Sequence, residues 1–223
     1  MANASTTSVY DQLLIADFNQ CFQHIRYYEE WFRRLIEFGI GLALAVLAGF
    51  SALIARYGRT GLAVTFGALL CGVATVGGLL LLMALARVRV QMALVCRYVN
   101  EIRAAYVGNN SVGVANVVGM YTDYTRPRNH DPQSIHTLGI YFVAGLNTLL
   151  FVACVGTLPS ALLHMEGISA RFLNVWVTVF TMVLFLALQL AMVHHYWWRS
   201  ETGNKIRPAF AGDRTQPEAK ASG

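Results

Sequence analysis

Four stretches of the chain contain no Asp, Glu, Lys or Arg: residues 38–55, 60–86, 132–165 and 172–198. A hydrocarbon layer about 30 Å thick is crossed by about 20 helical residues, so each stretch predicts one transmembrane helix. The first has only 18 residues, but Leu35 and Ile36 extend it beyond Glu37, whose carboxylate can reach the headgroups. The third is longer than one crossing needs and is placed at residues 138–158, stopping before Pro159. The pattern predicts an all-α, four-span transmembrane helical bundle.

A different periodicity flanks the first two spans. Before span one, apolar residues fall at Leu14, Phe18, Cys21, Ile25, Tyr28 and Phe32, spaced alternately four and three apart. After span two the same spacing returns with Val88, Met92, Val95, Val99, Ile102 and Tyr106. These are a/d helical seams. Ser8 with Asp11 makes a capping box at the start of the first helix, and Gly108, Asn109 and Asn110 end the second. Because only residues 56–61 join the two spans, the seams belong to two cytoplasmic helical extensions of the first hairpin, a stalk on the order of 30 Å long. The seams close that hairpin on itself or meet a neighbouring subunit.

Inside the spans, Gly41, Ala45 and Gly49 recur every four residues, with Gly67 and Gly72 on span two, a small-residue pattern that lets helices approach closely within the hairpin or between subunits. Asn147 in span three and Gln189 in span four are the strongly polar residues of the interior, expected to hydrogen-bond across helices as structural glue.

Composition fits this picture: 56% of residues are hydrophobic and 13% charged, with a mean hydropathy of +0.47. A typical soluble domain is about 25% charged, so an ordinary soluble fold is excluded. The net charge of +5 is not read as a nucleic-acid surface, because the basic residues flank apolar spans. Fourteen of the seventeen Lys and Arg lie in residues 1–35, 87–132 and 199–223, which places both termini and the central segment in the cytoplasm, most simply at a bacterial inner membrane. The first apolar run opens too late for a secretory leader, so none is expected. Tyr27, Tyr28, Trp31 and Phe32 before span one, and Tyr196, Trp197 and Trp198 after span four, are interface anchors. Cys21, Cys71, Cys96 and Cys154 show no disulfide or zinc spacing.

No catalytic spacing is found, neither a P-loop, H-E-x-x-H, G-x-S-x-G nor G-x-G-x-x-G, and no catalytic residue, cofactor or metal ligand is assigned. The absence of ionisable residues from the span interiors argues against a proton- or ion-coupled transporter. His194 and His195 are about 100° apart on a helix and read as interface residues. The most distinctive stretch, residues 120–132, combines Tyr, Arg, His and Asp with Pro127 and Pro132 just before span three. It predicts a structured connecting loop in which Arg126, Arg128 and His130 touch lipid headgroups.

The resulting layout has an N-terminal amphipathic cytoplasmic helix (residues 1–35), a transmembrane hairpin (36–86), a cytoplasmic helix and loop (87–132), a second transmembrane hairpin (133–198) and a disordered cytoplasmic tail (199–223). Over residues 8–107 the arrangement of helix, hairpin and helix resembles the SLATT-type membrane effectors of bacterial defence systems, a resemblance that implies pore formation. The sequence by itself points to a non-enzymatic, homo-oligomeric membrane scaffold or sensor whose stalk docks a cytoplasmic protein. A pore or channel subunit and a lipid-modifying enzyme are the alternatives.

Overall fold

A computed structural model describes residues 9–58, 60–109, 127–162 and 168–203. Its described elements are four α-helices: α1 (Val9–Tyr57), α2 (Gly61–Asn109), α3 (Ile135–Leu162) and α4 (Ile168–Gly203). All four are long and apolar enough to cross a membrane. The helix is the natural solution for such segments, because it satisfies every interior backbone N–H and C=O without water.

Helices α1 and α2 have 49 residues each, on the order of 70 Å, and so reach well past the apolar spans without a break. A short turn reverses the chain between them. Gly58, at φ +65°, takes the left-handed conformation that ends α1. Thr60 then caps α2, its hydroxyl accepting from the Ala63 N–H at 3.4 Å and its carbonyl from the Val64 N–H at 3.0 Å. At the start of α3, Asp131 Oδ1 accepts from the Gln133 N–H at 3.1 Å, and the Ser134 carbonyl accepts from Leu138 at 3.1 Å.

Helix α2 lies at the centre, packed against α1, α3 and α4. One apolar core joins Phe32 with Leu81, Leu82 and Leu85, Ile140 and Val143, and Val193 and Trp197, so all four helices contribute. A second core joins Ala43 and Val46 with Cys71, Ala74 and Leu150. Lipid tails are as apolar as these side chains, so association depends on close fit. Gly39 lies under Leu81, Gly67 under Phe50, Gly78 under Asn147, and Gly139 under Ile36 and Phe32.

The small residues of span one divide unexpectedly. Gly49 meets Leu70, and on α2 Gly72 meets Cys154. Gly41 has no neighbour within 4 Å and Ala45 is exposed, so within one chain neither closes the hairpin. The inward face of α1 runs through Phe32, Gly39, Ala43 and Val46, and residues two positions on stand roughly 200° away. Gly41 and Ala45 are left facing outward.

In the extensions the chain follows its seam. Phe18, Cys21, Ile25 and Tyr28 are half-buried and Phe32 is buried, while the positions between them are exposed apart from the half-buried Glu30. Opposite them Met92, Val99 and Ile102 are buried, with Val88 and Val95 half-buried. The Arg103 guanidinium lies 5.4 Å from the Phe18 ring and 5.8 Å from the Phe22 ring, and the Tyr98 hydroxyl lies close to the Asp17 carboxylate. These contacts are within one chain. The side chains of Leu14 and Tyr106, the Ser8 cap and residues 204–223 lie outside the described residues. Helix α4 continues through Gly203, so residues 199–203 are helix rather than the start of a disordered tail.

Candidate functional site

Two polar clusters hold the helices to one another. The first lies within the apolar spans. Asn147 Nδ2 donates to Gln189 Oε1 at 2.9 Å, Gln189 Nε2 donates to Thr148 Oγ1 at 2.9 Å, and Thr148 Oγ1 donates to the Ala144 carbonyl at 2.8 Å. Asn147 and Gln189 are each 2% exposed. Gly78 leaves room for the Asn147 amide against α2, but Asn147 Oδ1 accepts no hydrogen bond, so the bonds of the cluster join α3 to α4 while α2 meets it by close packing. The void beside Asn147 measures about 10 Å³, room for no more than one water-sized molecule. Ser51, Thr65, Thr75 and Thr181 instead bond their own helix, as Thr75 does to the Cys71 carbonyl at 2.8 Å and Ser51 to that of Leu47 at 2.8 Å.

The second cluster sits where the apolar spans end, around residues 127–134. Arg97 on α2 donates from Nε to the Pro127 carbonyl at 2.9 Å, and from Nη2 to Asn129 Oδ1 at 3.5 Å and Glu201 Oε1 at 3.3 Å. The same Glu201 oxygen accepts the Asn129 backbone N–H at 2.7 Å. Asn129, 1% exposed, completes its bonds by donating from Nδ2 to Ser200 Oγ at 2.7 Å and to the Trp197 carbonyl at 3.4 Å. Arg89 donates to the Arg128 carbonyl at 3.3 Å. His130 pairs with the Tyr141 hydroxyl at 2.9 Å, and its ring lies 5.4 Å from that of His194 and 5.3 Å from that of Trp197. Helices α2, α3 and α4 are thus clamped to one loop.

Of the distinctive stretch 120–132, residues 127–132 carry the bonds above and residues 120–126 lie outside the described residues. The Arg128 side chain is exposed, His130 is half-buried and turned to Tyr141 and Trp197, and Arg126 lies outside the described residues. The residues that organise the site, Arg89, Arg97 and Glu201, escaped sequence reasoning because they counted only towards orientation and the tail. Their signal was present: Arg89 and Arg97 stand in a largely apolar stretch of α2 at positions that share one broad helix face. Among the described residues no three His, Cys, Asp or Glu are grouped to hold a metal ion.

Glu201→Ala leaves the Asn129 N–H without its acceptor and the partly buried Arg97 without its carboxylate. It is expected to lower the stability of the solubilised chain by about 2 kcal/mol and to speed amide exchange at residues 127–134. Unchanged melting and exchange would show that the clamp contributes nothing.

No protein-family model, no curated protein and no solved structure matches the chain.

Proposed function

We propose that this chain is a non-enzymatic scaffold or sensor of a bacterial inner membrane, with both ends and the α2 to α3 connection in the cytoplasm. Its hairpin extension docks a cytoplasmic protein and transmits that contact to the spans. The observation that carries the reading is the continuity of α1 and α2. Each runs 49 residues without a break, and the pair that packs inside the apolar bundle also zips the polar extension. A load on the extension therefore reaches the spans through rigid helix, and the Arg97 to Glu201 clamp passes it to α4. The charge distribution supports the orientation, since fourteen of seventeen Lys and Arg fall on one side.

A second reading, an oligomeric pore of the kind the SLATT-type layout implies, draws on the outward face of α1, where Gly41 and Ala45 are free to meet another copy. Expression in a bacterial host carrying a potential-sensitive dye separates the two. The scaffold reading predicts an undisturbed membrane potential, and collapse of the potential selects the pore. In the same host, reporter fusions after Gly108 and at the C-terminus are expected to be active in the cytoplasm and fusions at Gly58 or Gly167 outside. An external C-terminus would overturn the orientation.

A further inference from the structure

Arg89 is a buried cation with too few partners. It is 3% exposed, its Nη2 donates to a single neutral acceptor, the Arg128 carbonyl at 3.3 Å, and its Nε–H has no acceptor. Arg97 on the same helix is neutralised by Glu201. Asp131 is near enough to act on the Arg89 charge, but no carboxylate of the described residues lies within ion-pair distance of it, and Asp131 Oδ1 holds the Gln133 N–H. A desolvated guanidinium held by one carbonyl carries a large uncompensated penalty.

Two further buried polar groups near the same loop are unpartnered. Thr137 is 0% exposed and its Oγ1 has no partner; Trp197 is 1% exposed and its Nε1–H has none. The loop passes near all three: Arg128 supplies the carbonyl to Arg89, the His130 ring lies 5.3 Å from that of Trp197, and His130 bonds Tyr141, which follows Thr137 by one turn on the same face of α3. Each orphaned group has a hydrogen to donate, so what the set lacks is an acceptor, and the formal charge among them is positive. They stand at the ends of the apolar spans, at the level where lipid phosphates concentrate.

We propose that Arg89, with Thr137 and Trp197, forms an anion subsite between α2, α3 and α4 that takes a phosphate-type oxyanion, carried by an anionic phospholipid or free as inorganic phosphate. A guanidinium fork matches two phosphate oxygens, and the neutral donors complete the shell. This subsite stands whether or not the extension docks a partner.

The test uses the full chain in a neutral detergent, following thermal unfolding while inorganic phosphate replaces chloride at constant ionic strength, and separately while phosphatidylglycerol replaces phosphatidylcholine in mixed micelles. The wild-type midpoint is expected to rise in at least one series. A rise with phosphate assigns a free anion, and a rise with phosphatidylglycerol alone assigns a lipid headgroup. Arg89→Gln is expected to raise the half-saturating concentration roughly tenfold or more, as loss of a charge-assisted pair implies. Thr137→Val, which keeps shape and charge, is expected to weaken it less, and decides the matter if Arg89→Gln does not fold. Arg33→Gln, on the exposed face of α1, is expected to leave the response intact. No rise in either series, or an equal rise in wild type and the site variants, overturns the proposal.

Discussion

Gly78→Leu is expected to destabilise the solubilised chain by about 3 kcal/mol, read as a lowered unfolding midpoint, because its side chain enters space held by the Asn147 amide. The packed helices give way only by separating α2 from α3 or by swinging Asn147 off its 2.9 Å bond to Gln189. Such an interhelical bond contributes roughly 0.6–2 kcal/mol in a membrane protein, so both routes are costly. Gly41→Leu is the matched control. No atom lies within 4 Å of that position, and a residue that faces lipid is expected to accept leucine with little change. A large loss from Gly41→Leu would reverse the assignment of the inward face of α1, and no loss from Gly78→Leu would contradict the close approach of α2 to Asn147. A loss from Gly41→Leu seen only in assembled material would place a second copy against that face.

Val99→Asp is expected to open the extension. Val99 is 3% exposed in the seam of α2, and aspartate there buries a carboxylate with no described partner, at a cost of about 3–5 kcal/mol. The apolar halves of α1 and α2 remain packed around Leu81, Leu82 and Leu85, so the loss falls on the part beyond the bundle. Circular dichroism should show reduced helicity, and protease should cut within residues 9–32, while the membrane-embedded core stays resistant. Retention of full helicity would mean that the seam contributes nothing to the fold.

The spans were legible because long runs without charge admit one structure in lipid, and the extension seams because a four-three spacing over six positions leaves one face to bury. The Asn147 to Gln189 contact was legible for a related reason: few strongly polar side chains occupy the spans, and each is costly alone. The phase of α1 was not. Gly39 with Ala43 and Gly41 with Ala45 are both small pairs four apart, and only the alignment of Gly39 and Ala43 with Phe32 and Val46 decides which pair faces inward. Arg89, Arg97 and Glu201 were hidden because a charge beside a span orients the chain in any fold, and counting charges carries no distance. Glu201 in particular reads as tail by composition, yet its bonds to Asn129 and Arg97 belong to helix α4, which runs on to Gly203.

The central claim is that α1 and α2 form one closed rod within a single chain, from the connecting turn to the far end of the extension. Tyr98 and Asp17 meet across that rod, so cysteines at both positions, with Cys21, Cys71, Cys96 and Cys154 changed to alanine, bring two thiols to the same place. Two differently tagged copies are co-expressed and treated in native membranes with a short bifunctional thiol reagent. The account predicts a crosslinked product of monomer mass bearing one tag, whose halves stay joined after cleavage at a protease site engineered into the loop between α1 and α2. A product of twice the mass bearing both tags, or halves that separate after cleavage although both thiols react, would contradict it.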